Sequence, residues 1–279
     1  MENIKEQLLK RHPRLHSLLR FLKGRVRELF FPYRFRKYGK NRGFGTDRVL
    51  NEFVQLLAQE FLCTACVETG TCRADTALRL AEVFPRIPVY TIEVSDELFR
   101  ESRWRLRNSA NTIIIRNSSE KAIRDLIADK KLGELPLFFL DAHWHNYWPL
   151  KDELHLLAGL GKAIVMIHDF RVPERPEFQF DWYTTAAGAM PNDVHFIEDF
   201  LHAKRHHLLF PAYEAKDAAV TVLGGLRGYV VIFQDLHGEF NQLWSMPAVR
   251  NWYSRWEVAT DGFLIPEPSL SGSSEGRPT

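Results

Sequence analysis

The sequence predicts an α/β fold, a doubly wound and mostly parallel sheet. Three observations lead there. Short apolar runs alternate with segments of helical period and length from Thr46 to Asp169, and strands joined through such helices need right-handed crossovers and lie parallel. The runs themselves, such as Ala163 to Ile167 and Tyr229 to Phe233, are too short to cross a bilayer and read as buried strands. At 279 residues, 45% hydrophobic and 26% charged, the chain is a globular protein large enough to bury a core without disulfides or metals.

The first 42 residues stand apart. They hold thirteen Lys or Arg against three Glu, a net of +10, and because the whole chain is +2 the rest carries −8. Leu15, Leu18, Leu19, Leu22, Val26, Leu29 and Phe30 recur at steps of three and four among Arg20, Lys23, Arg25 and Arg27, which describes an amphipathic helix ended by Pro32. Such a helix packs on the main domain or on a second copy in a homo-oligomer. A sharper expectation is peripheral contact between residues 1–42 and an anionic membrane. Nucleic acid is disfavoured as a partner, because the acidic remainder argues against a continuous basic groove.

From Asp47 to Gln59 the period is helical, and Cys63 to Glu68 reads as a strand. A turn at Gly70 opens a helix through Leu78 to Val83. Strand and helix then alternate over Pro88–Val94, Ser95–Leu106, Thr112–Arg116, Ser119–Ala128, Pro136–Asp141, Leu150–Ala158 and Ala163–Asp169. Arg171 to Asn192 has no clear period and reads as a loop or lid. A helix at Asp193–His202 and strands near His207–Phe210 and Gly228–Phe233 complete the expected seven-stranded sheet. The domain division expected is a basic helical extension over 1–45, one α/β domain over 46–264, and a tail over 265–279 too rich in Pro, Ser and Gly to pack. Cysteines at 63, 66 and 72 are too few for a disulfide scaffold, and with no secretory leader in the first residues a cytoplasmic setting is the simplest expectation.

Open α/β sheets bind ligands at the carboxyl ends of their strands. Read there, the strands end in Val67-Glu68-Thr69-Gly70-Thr71, Tyr90-Thr91-Ile92-Glu93, Arg116-Asn117-Ser118-Ser119, Phe139-Leu140-Asp141-Ala142-His143-Trp144-His145 and Ile167-His168-Asp169. Glu93 suits a carboxylate accepting two hydrogen bonds from a ribose diol. The G-x-G-x-x-G run of pyrophosphate-binding loops is missing, with Cys72 and Ala74 in its place, which disfavours a nicotinamide or flavin enzyme. Acids at two neighbouring strand ends without a basic phosphate clamp point to an adenosyl ligand.

Together these runs resemble class I S-adenosylmethionine-dependent methyltransferases, and more narrowly the macrocin O-methyltransferase type, over about residues 60 to 170. The resemblance implies a Rossmann-like methyltransferase sheet closed by two further strands, one of them antiparallel. It implies that Glu68, Thr69, Gly70 and Thr71 line the methionine side of S-adenosyl-L-methionine, that Glu93 takes the ribose hydroxyls, that Ser118 and Ser119 lie against the adenine, and that Asp141 also borders the cofactor. In cation-dependent relatives the acids ending the fourth and fifth strands hold magnesium, so Asp141, His168 and Asp169 become the candidate ligands for Mg or Mn. Magnesium prefers oxygen donors, and the imidazole of His168 departs from that pattern. O-methylation of a hydroxyl on a sugar, glycan or other small molecule needs a general base, and His143 or His145, just past Asp141, can supply one.

Two other readings compete. Asp141, His143, His145, His168 and Asp169 could form a hydrolytic metal centre that activates water, which leaves Glu68, Gly70 and Glu93 without a role. A cofactor-binding protein without catalysis is the third. Cys63 and Cys66, separated by two residues within a buried strand, read as core rather than as half a zinc site.

Overall fold

The structure, a computed structural model, describes residues 43–143, 147–185, 188–218, 225–258 and 264–266. The basic segment 1–42, His145 and tail residues 267–279 lie outside them. In chain order the elements are α1 (Arg48–Glu60), β1 (Ala65–Thr69), α2 (Asp75–Val83), β2 (Val89–Glu93), α3 (Asp96–Arg105), β3 (Thr112–Arg116), α4 (Ser119–Ala128), β4 (Pro136–Leu140), α5 (Leu150–Ala158) and β5 (Ala163–His168). There follow β6 (Trp182–Thr185), β7 (Gly188–Pro191), α6 (Glu198–Ala203), β8 (His206–Pro211), α7 (Ala215–Ala218), β9 (Tyr229–Gln234), α8 (His237–Trp244), α9 (Pro247–Trp252), β10 (Tyr253–Val258) and β11 (Leu264–Pro266).

Nine strands form one sheet in the order β11-β10-β8-β9-β5-β4-β1-β2-β3. Strands β1 to β5 are mutually parallel, β9 lies antiparallel between β5 and β8, and the order reverses between β1 and β4. This is the expected doubly wound, mostly parallel arrangement; β9 runs against the parallel set, and so does β10, which pairs antiparallel with β8. The count is corrected from seven to nine: β10 and β11 extend the sheet beyond β8. The expected loop 171–192 is also corrected, since β6 and β7 pair there as a separate hairpin.

Local chemistry explains the elements that frame the site. Asp47 caps α1, its Oδ1 accepting from the Leu50 amide at 3.1 Å, and Val49, Leu50, Phe53, Val54 and Leu57 turn inward at helical spacing. Ser95 caps α3 in the same manner. Strands β1, β4 and β9 are buried along their whole length, as inner strands covered on both faces must be, while β3, at the edge, is half exposed. Cys63 and Cys66 sit in this core as free thiols.

The core begins before the expected boundary at 46. Phe44 is buried and meets the Phe139 ring edge-on at 5.2 Å. A buried chain of hydroxyls ties α1 to the far strands. Tyr213 donates to Asp47 Oδ2 at 2.5 Å and lies 3.0 Å from the Tyr229 hydroxyl, itself 2.8 Å from that of Tyr253. No helix among the described residues is long and apolar enough to cross a membrane.

Candidate active site

A cavity of about 1000 Å³ opens over the carboxyl ends of β1, β2, β4 and β5, where the strand order reverses. Its floor carries Gly70, Glu93, Asp141, His168 and Asp169, and its walls include Asn117, Ser119, His143 and Trp148. The β6–β7 hairpin contributes Trp182, Tyr183 and Thr184 from above. Strand ends from five different elements therefore face one space.

Glu93 is the acid best placed there. It is buried, but its carboxylate lines the cavity, with Oε2 accepting from the Cys72 amide and Oε1 from the Ser95 amide, each at 2.9 Å. These bonds fix the carboxylate and leave one further lone pair on each oxygen for a ligand. Burial raises the Glu93 pKa, and the Ser95 and Cys72 amides oppose that rise. The loop that supplies Cys72 bends through left-handed backbone at Gly70, Cys72 and Ala74, with φ of 81°, 48° and 58°. Glycine is therefore absent at two positions whose backbone favours it. At Gly70 a side chain is excluded outright, because a Cβ would lie 2.7 Å from the Asp141 carbonyl oxygen.

The other expected cofactor residues divide. Ser119 and Asp141 line the cavity; Glu68, Thr69, Thr71 and Ser118 do not. Glu68 is corrected from a lining residue to one beneath the floor. It pairs in register with Thr91, one step before the strand ends, and its carboxylate receives the Thr91 hydroxyl, which also lies 2.5 Å from that of Thr71. Burial pushes the Glu68 carboxyl up to about 8, with the Thr91 bond opposing it. Thr69 is wholly buried, and the Ser118 hydroxyl is turned to Glu120 at 2.6 Å.

The ends of β4 and β5 carry a second cluster. Asp141, His143 and Asp169 place ligand atoms within 4.8 Å of one another, the one such group of potential metal ligands among the described residues. His168, expected as a ligand, instead sets Nδ1 between the two carboxylates, 3.3 Å from Asp141 and 3.1 Å from Asp169, although neither approach is aligned as a hydrogen bond. Burial alone would lower the His168 pKa, but Asp141 and Asp169 outweigh it and hold the imidazole well above its usual range. Burial likewise opposes ionisation of Asp169, yet His168 and Arg227 hold its carboxyl well below the ordinary value.

Two charged residues that the sequence reading passed over complete this cluster. Arg227 joins Asp169 through Nε and Asp181 through Nη2, and Asp181 Oδ2 lies 3.8 Å from His143 Nε2. Both come from segments without periodicity. The backbone holds them in place: the Asp181 amide donates to the Asp169 carbonyl at 3.0 Å, and the Gln179 backbone bonds to Leu226 and Gly228, on either side of Arg227. A divalent ion at the convergent trio would have to share Asp169 with a guanidinium already bonded to it, so the residues present do not fit a resident cation.

No protein-family model matches the chain, and no curated protein does. Solved structures resemble it distantly. The O-methyltransferase from Bacillus cereus in complex with SAH is 15% identical, with 67% of this chain and 81% of that one covered, at a TM-score of 0.46. TomG, an O-methyltransferase from Streptomyces achromogenes involved in tomaymycin synthesis and solved with SAM, is 16% identical over 66% and 78%, at 0.44. An rRNA methylase from Streptococcus thermophilus is 15% identical over 67% and 96%, at 0.40. The strand order of the chain itself, rather than these likenesses, gives it a doubly wound, Rossmann-like fold.

Proposed function

We propose that the chain is an S-adenosylmethionine-dependent O-methyltransferase acting on a hydroxyl of a small molecule or glycan. The observation that carries this reading is the anchored Glu93 carboxylate facing the cavity across from His143 and Asp141. In it, Glu93 accepts the two ribose hydroxyls, the backbone at Gly70 lies against the methionine portion, and Asn117 and Ser119 border the base. The bound sulfonium supplies an electrophilic methyl group. His143 takes the proton from the acceptor hydroxyl as its oxygen bonds to the methyl carbon and the carbon–sulfur bond breaks. Asp181 faces the imidazole as it becomes positive. His145, the other candidate base, lies outside the described residues.

The hairpin gives the acceptor side its character. Trp182 is 55% exposed although it lines the cavity, and its ring lies 5.3 Å from that of Phe180. An exposed indole at the cavity mouth suits stacking against a sugar ring or a planar polycycle. Incubation with methyl-labelled S-adenosylmethionine and a panel of hydroxylated acceptors tests the reading. Label in an ether linkage is the expected result, and binding of the donor without transfer to any acceptor would favour the non-catalytic reading.

A further inference from the structure

We propose that Arg227 is the resident cation of this site, standing where a divalent metal would otherwise balance Asp141 and Asp169. The inference builds on the methyltransferase reading for its role but not for its test.

Three observations support it. First, the guanidinium is committed on one edge: Nε bonds Asp169 and Nη2 bonds Asp181. Asp169 is itself one of the three convergent donors. A divalent ion at the trio would meet this fixed positive charge at a distance where repulsion is poorly screened.

Second, Arg227 is built in by the backbone rather than resting on the surface. The Gln179 amide donates to the Leu226 carbonyl at 2.8 Å and the Gly228 amide to the Gln179 carbonyl at 2.7 Å, which clamps the residue from both sides. Position 228 admits only glycine, since a Cβ there would lie 2.1 Å from the Phe170 carbonyl oxygen. The chain thus runs close enough to the end of β5 for the arginine to reach Asp169.

Third, Nη1 makes no hydrogen bond among the described residues, and Arg227 lines the cavity. It is a charged donor available to the acceptor oxygen as that oxygen loses its proton. A metal ion at this place would stabilise the same charge. Arginine does so as a fixed, always protonated fork.

Manganese alone, titrated into the full chain and followed by the electron paramagnetic resonance of the free ion, provides the test. Wild type is expected to leave the free-ion signal undiminished up to about 1 mM. Arg227→Met uncovers the two carboxylates it pairs, Asp169 and Asp181, and should take up one ion at least about tenfold more tightly. Asp169→Asn added to that variant should abolish the gain. Arg227→Lys, which keeps the charge, should behave as wild type.

Stoichiometric uptake by wild type that Asp169→Asn removes would overturn the proposal, as would a folded Arg227→Met chain that binds no better than wild type. If Arg227→Met does not fold, the comparison of wild type with Asp169→Asn decides alone. Donor binding by the wild type, measured separately, reports on the methyltransferase reading, so the two can fail independently.

Discussion

Asp181 stands 3.8 Å from the Nε2 of His143, on a segment bonded through its backbone to the end of β5. A carboxylate at that distance orients the imidazole towards the cavity that both residues line. His143→Ala should lower methyl transfer by about 10²- to 10⁴-fold. Asp181→Asn, which acts through the histidine, should lower kcat by about tenfold. Both should leave donor affinity near wild type. Steady-state transfer assays paired with donor titrations check this, and equal losses in donor affinity would assign these residues to binding instead.

Glu68 makes the stability of the protein fall as pH rises. Its folded-state pKa of about 8 lies above the value of 4.5 for an unperturbed glutamate, so the folded chain holds the extra proton. Its contribution is complete below the unfolded value and is lost as pH climbs towards about 8, at about 1.4 kcal/mol per pH unit within the window. Glu68→Gln should flatten that slope and be the more stable chain near pH 8. Urea melts of both across about pH 5 to 8 read the difference. A variant with an unchanged slope would place the proton elsewhere.

Gly70 is irreplaceable for two separate reasons, a φ of 81° and a Cβ that would strike the Asp141 carbonyl at 2.7 Å. Gly70→Ala should cost about 1–3 kcal/mol and push the Asp141–His143 segment away from Asp169. Thermal melts measure the first effect, and weakened donor binding reports the second.

The parallel half of the fold was legible because short, largely apolar strands alternate with segments of helical period, and α1 and α3 carry capping residues, Asp47 and Ser95. Thr112–Arg116, Ser119–Ala128 and Leu150–Ala158 fall where the period places them. The β6–β7 hairpin was hidden because it is short and sits largely in the open: Tyr183 packs against Trp148 and Phe196, but Trp182 and Met190 are both exposed and Gly188–Pro191 has no buried residue to impose alternation. Strands β10 and β11 were missed for a related reason: β10 mixes Arg255 and Glu257 with Tyr253 and Trp256.

Within the site, the strand-end residues that the sequence singled out, Glu93, Asp141, His168 and Asp169, all line the cavity. Glu68 was misplaced because a strand-end acid reads the same whether its carboxylate faces the cavity or the next strand, and only the register with Thr91 decides. Asp181 and Arg227 could not be read in advance. Each lies in an irregular segment, and their pairing joins positions 46 residues apart.

The most direct measurement is calorimetric titration of S-adenosylhomocysteine into wild type, Glu93→Ala and Glu68→Gln. Wild type should bind one equivalent. Glu93→Ala should weaken binding about 10- to 100-fold, the loss of hydrogen bonds to a charged group, and Glu68→Gln should stay close to wild type. A titration without heat in wild type, or affinity that survives Glu93→Ala unchanged, would contradict the placement of an adenosyl ligand over β2.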